Sequence, residues 1–108
     1  MRAESTTIAR AFLARKPKRA KRTATDGESL TLHGNTIAWW NPDGSISMTL
    51  CGWGTVTTRD RLNTLCQLLI DRRPFHQVKH VQHFDERPIS ASDVFTLHPI
   101  ADELPLAA

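Results

Sequence analysis

The chain has 108 residues, 40% of them hydrophobic and 23% charged, and a formal net charge of +3. That length suits one domain with a modest core. No apolar run nears the ~20 residues of a membrane-spanning helix, and the Arg- and Thr-rich start lacks the apolar stretch of a secretory signal, so neither a span, a membrane partner nor export is expected.

The charge is uneven. Residues 1–25 hold eight Lys/Arg and one acid, a balance of +7, whereas the remaining six Lys/Arg and ten acids give −4. Such a split points to an anionic partner for the basic segment, or to contact with the mildly acidic body.

Residues 1–27 show no strand pattern and are expected to form a basic, largely disordered tail. Within them, residues 5–16 place Ile8, Ala9, Phe12 and Leu13 at helical spacing, with Ser5 as a cap and Pro17 as a stop. A helix this short is marginal in water and is expected to fray unless it docks.

The folded domain is expected over residues 28–98. Leu30 and Leu32 alternate with polar neighbours, which is strand period. Gly34-Asn35 suits a tight hairpin turn. On the return strand, strict alternation puts Ile37 and Trp39 on one face and Ala38 and Trp40 on the other. Asn41-Pro42-Asp43-Gly44 then reads as a turn. In the third strand Ile46, Met48 and Leu50 face the core, and Ser45, Ser47, Thr49 and Cys51 face away.

The period then changes to 3.6. Leu62, Leu65, Cys66 and Leu69 form the apolar stripe of a helix over about residues 58–72, with Thr57 and Asp60 at capping-box spacing and Pro74 as a stop. Residues 75–84 read as one strand and Val94-Phe95-Thr96-Leu97 as another. Residues 99–108 carry no pattern and are expected to fray. The order β-β-β-α-β-β implies an α+β fold, one antiparallel sheet of about five strands with a helix on its apolar face.

Several residue groups are candidates for function. In the run Arg15-Lys16-Pro17-Lys18-Arg19-Ala20-Lys21-Arg22, the six cations Arg15, Lys16, Lys18, Arg19, Lys21 and Arg22 can neutralise phosphates without reading sequence. Arg59, Asn63 and Gln67 follow one another at i, i+4, i+8 on a second helical stripe. With Arg61, Thr57 and Thr58 they can hold a phosphate or carboxylate near the helix start, where backbone N–H groups favour anions. Adjacent Trp39 and Trp40 must point to opposite faces, so Trp40 or Trp53 can anchor a partner unless other chain covers them.

His76, His80 and His83 read HxxxHxxH. On a helix they would cluster; on the expected strand His76 and His80 share a face and His83 points away, so no metal is expected. His33 has no paired nucleophile or acid, and a structural role beside its turn is expected. Cys51 and Cys66 have no metal or redox spacing and read as reduced thiols. No phosphate loop, zinc quartet, nucleophile elbow or paired acids occur, so no cofactor and no catalysis are expected.

Two strings carry a family likeness. His33-Gly34-Asn35-Thr36-Ile37-Ala38 matches HGNxIA, and Gly52-Trp53-Gly54-Thr55-Val56-Thr57-Thr58-Arg59-Asp60-Arg61-Leu62-Asn63 matches GWxTxTTxxRLN. Together, over residues 28–73, they resemble a group of small proteins from bacteriophages, prophages and plasmids. The resemblance implies an accessory protein acting in the bacterial cytoplasm, and no mechanism. Two functions fit that context: nucleic-acid association through the basic segment and the helix start, or inhibition of a host or defence protein by surface binding.

Overall fold

The computed structural model describes residues 3–98. The expected frayed end at residues 99–108 lies outside them. The class is α+β with antiparallel sheets throughout, as the sequence implies, but the layout is fuller. Helix α1 (Ala3–Leu13) leads into β1 (Lys18–Ala20), β2 (Thr23–Thr25), β3 (Ser29–Leu32), β4 (Asn35–Trp40) and β5 (Ile46–Thr49). Helix α2 (Val56–Ile70) follows, then β6 (Phe75–Val78), β7 (Val81–Phe84), β8 (Arg87–Ile89) and β9 (Val94–Leu97). Strands β1-β2-β3-β4-β5-β9 form a six-stranded sheet, and β6-β7-β8 form a second of three.

The largest departure from expectation is at the N-terminus, which is part of the domain. Ile8, Ala9, Phe12 and Leu13 are buried in the same cluster as Leu30, Ile37, Ile46, Met48, Leu62 and Leu65. The short helix persists because docking buries its apolar stripe, which offsets the cost of nucleation. Ser5 is a buried residue inside the helix, and its hydroxyl donates to Asp60. The basic run then continues as strand, Lys18 pairing with Thr25 and Ala20 with Thr23.

A Gly at position 27 makes this docking possible. Gly27 has φ +96°, and a Cβ there would lie 2.6 Å from the Arg15 carbonyl oxygen. Since both conformation and backbone contact oppose a side chain, Gly27→Ala is expected to destabilise the protein by about 2 kcal/mol. Urea denaturation followed by tryptophan fluorescence checks this.

Strand β4 departs from strict alternation. Leu30 pairs with Ala38 and Thr31 with Thr36, leaving Ile37 as a bulge. Two consecutive residues, Ile37 and Ala38, therefore point inward. Trp40 follows Ala38 to the helix side and Trp39 is turned to the opposite face, so the expected sharing of a face by Ile37 and Trp39 is corrected. On that opposite face Ser29, Trp39, Ser47 and Thr96 line up across four strands. Ser47 and Thr96 join hydroxyls at 2.9 Å.

Helix α2 carries its apolar stripe as read, with Leu62, Leu65 and Cys66 fully buried. Its cap is Thr55, whose hydroxyl accepts from the Thr58 N–H at 3.2 Å, and not Thr57. It ends at Asp71 in the left-handed region, before Pro74. Cys51 and Cys66 are both free thiols. Burial pushes the Cys66 thiol up to about 12, which makes it unreactive.

The expected single strand over residues 75–84 is a hairpin. Lys79 and His80 both have positive φ and form its two-residue turn. Phe75, Phe84 and Phe95 pack ring on ring, at centroid distances of 4.6 to 5.9 Å, and join the small sheet to β9.

Candidate functional site

The two motif strings meet in space. His33 and Gly34, both with positive φ, form the β3–β4 turn, and Asn35 begins β4. The turn pair is thus one residue earlier than the expected Gly34-Asn35. This corner faces the loop leading into α2. Between them lies a cleft of about 340 Å³ lined by Leu32, His33, Asn35, Ile37, Trp53, Thr55, Thr57 and Thr58.

Trp53 is 57% exposed at its mouth. The loop that carries it is tied down on several sides. The Gly52 N–H donates to the Ala91 carbonyl (3.0 Å), the Trp53 N–H to Leu50 (2.9 Å), and the Thr55 N–H to the Trp53 carbonyl (2.8 Å). The Arg59 guanidinium donates to the Gly54 carbonyl at 2.8 Å, and also to the Gln77 and Gln82 side-chain oxygens. A Cβ at Gly54 would lie 2.6 Å from Gln82 Nε2, so a side chain there would have to displace the Gln82 amide. Arg59, a candidate for ligand contact by sequence, joins this loop to the β6–β7 hairpin.

A second concavity of about 300 Å³ adjoins the cleft and shares Leu32, His33 and Thr57 with it. Its other walls are Lys21, Arg22, Thr23 and Arg61. The two turns sit side by side, for the His33 N–H donates to the Arg22 carbonyl at 2.8 Å. Lys16, Lys18, Arg19, Lys21 and Arg22 are all exposed. The structure therefore displays most of the basic run along one edge of the large sheet, ending beside the motif cleft. Arg15 is exposed as well but engaged within the fold: its guanidinium lies over the Trp40 ring at 4.1 Å and within 3.6 Å of Glu28.

Other expected surface residues are structural. Trp40 is covered by α1, its indole N–H donating to the Phe12 carbonyl at 3.0 Å and its ring packing on Phe12. Arg61 is buried, bonded to Thr23, Ser5 and Asp60. Asn63 is also buried and pairs with both backbone groups of Phe75 at 2.8 Å, as a neighbouring strand would. Gln67 bonds to Asp71 at the helix end. The second stripe of α2 thus faces the small sheet and the helix cap. Leu62 belongs to the core.

The histidines are rearranged by the hairpin. His76 pairs with His83 across it, and their rings stack at 5.2 Å, while His80 sits in the turn. Among the described residues no group of three or more His, Cys, Asp or Glu could hold a metal. No described helix is long and apolar enough to cross a membrane.

The motif strings contain the cleft residues Ile37 and Thr55 without giving either a role in the site; sequence reasoning also missed Leu32 as a cleft wall, and Gln77 and Gln82 as supports of the Trp53 loop. The last two lie outside both motif strings and carry no local signal.

No curated protein and no solved structure matches the chain. The profile of one family, described as Kyanoviridae Gp96 protein, matches residues 1–98. The span takes in the basic segment that the motif strings leave out, in keeping with its place in the fold. The chain belongs to the Kyanoviridae Gp96 protein family, a family of phage proteins.

Proposed function

We propose that this phage protein is a non-enzymatic accessory protein that associates with nucleic acid through the phosphate backbone. The observation that carries the reading is the placement of Lys18, Arg19, Lys21 and Arg22. All four are exposed; Lys18 and Arg19 lie on edge strand β1, and Lys21 and Arg22, in the β1–β2 turn, line a concavity beside the motif cleft. Cations on a paired strand and its tight turn lose less backbone freedom on binding than cations on a floppy arm. The helix start contributes less than its sequence suggests, because Arg59 and Arg61 are engaged within the fold.

Binding driven by such a surface releases counterions, so affinity falls steeply with salt. In a fluorescence-anisotropy titration, changing Lys18, Arg19, Lys21 and Arg22 together to Ala is expected to reduce the slope of log K against log[salt] by about 3, at 0.7–0.9 per phosphate contact. The four side chains are exposed, so the variant should fold. Absence of binding by the wild-type chain at low salt overturns the proposal. The competing reading, inhibition of a host or defence protein, predicts that result.

A further inference from the structure

We infer that the cleft between the His33-Gly34 turn and the Trp53 loop receives one unstacked nucleobase, so that the protein prefers single-stranded to duplex nucleic acid. The inference rests on the phosphate-binding reading above and specifies what lies beside the phosphate.

Trp53 is the first support. Of the three tryptophans it alone is exposed; Trp39 and Trp40 are half-buried. An exposed aromatic is unremarkable on a mobile loop, but this loop is hydrogen-bonded at Gly52, Trp53, Gly54 and Thr55. The ring is thus held outward in advance, which lowers the ordering cost of stacking against it.

The cleft walls are the second support. Leu32 and Ile37, almost fully buried core residues, back the cleft with apolar side chains. Neither the Asn35 amide nor the His33 imidazole has a hydrogen-bond partner among the described residues, and both line the cleft. An amide offers donors and an acceptor together, as the edge of a base requires. At about 340 Å³ the space suits one small planar group with water around it.

Charge is the third. The concavity bearing Lys21 and Arg22 opens directly off the cleft through His33 and Thr57. A strand with its base against Trp53 therefore meets cations where its backbone emerges. An aromatic platform beside a cationic track is the general requirement for single-strand binding, and it tolerates any sequence because every base has a π face. Paired bases in a duplex are stacked and cannot enter.

The experiment compares a 12-nucleotide single strand with a hairpin duplex, using anisotropy over the same series of salt concentrations for both probes, with a thermal melt of each variant. Wild-type protein should bind the single strand at least about 10-fold tighter. Trp53→Ala should weaken single-strand binding by about 10- to 100-fold, with Trp53→Phe retaining most of it. Both variants should leave duplex binding, the salt slope and the thermal midpoint unchanged. Equal single-strand binding by Trp53→Ala, or equal wild-type binding of the two probes, overturns the base cleft and leaves the phosphate surface standing. If wild type binds neither probe, both readings fall.

Discussion

Replacing Phe12 by Ala is expected to lower the unfolding free energy by about 4 kcal/mol, within the range for emptying a buried phenyl site. Phe12 has no exposed surface and belongs to the central core cluster. Its ring packs on Trp40 at a centroid distance of 5.9 Å. Truncation removes that contact and leaves a cavity which the helix can close only by shifting. It also loosens the Phe12 carbonyl that receives the Trp40 indole N–H. The size of the loss is decisive because a domain this small has only about 5–15 kcal/mol of stability in total. Urea denaturation gives the measurement, with the midpoint moving and the slope unchanged. A disordered tail predicts no change at all, so the variant separates the two pictures of the N-terminus. The same reasoning rules out deletion of residues 1–25 as a clean test of the basic run. Such a deletion removes core residues along with the charges.

Legibility in the sequence followed how local each signal was. Helix α2 and strands β3 and β5 were readable because their apolar residues recur at the period of the element itself. The meander from β3 to β5 was readable from its turn residues. Strands β1 and β2 were not. Each has three residues, and Lys18-Arg19-Ala20 has no apolar alternation; its strand form comes from pairing with Thr23-Ala24-Thr25. Helix α1 had the right spacing, but whether it persists depends on a docking surface made by distant residues. The bulge at Ile37 and the Lys79-His80 turn were hidden for a different reason. Bulges break the alternation used to find them, and neither turn residue is the Asn or Gly usual at positive φ. For the site, the motif strings already named His33, Asn35, Trp53 and Thr57, which the fold brings together. They also named Arg61 and Asn63, because a string cannot distinguish a polar residue that binds a partner from one that binds its own fold.

Arg61→Ala tests that distinction and is expected to cost about 3 kcal/mol of stability, the scale for removing one member of a buried, hydrogen-bonded ion pair. The side chain is 7% exposed. Its Nε donates to Thr23 Oγ1 at 2.9 Å, and its Nη1 to Ser5 Oγ at 2.6 Å and Asp60 Oδ2 at 2.7 Å. One guanidinium therefore ties together α1, β2 and α2. Asp60 is 15% exposed and keeps contacts with Ser5 and, at 3.4 Å, with Arg73 after the change, which holds the loss below that of a fully stranded charge. Arg61→Lys preserves the charge but cannot reproduce the planar fork that serves three partners, so it should retain less than half of the lost stability. If Arg61 acted mainly by contacting a ligand, the lysine variant would fold as well as wild type and only binding would fall. Paired urea and anisotropy measurements on the two variants read the difference. The fold predicts that stability falls in both, and the proposed phosphate surface of Lys18, Arg19, Lys21 and Arg22 predicts that binding by the correctly folded fraction stays close to wild type.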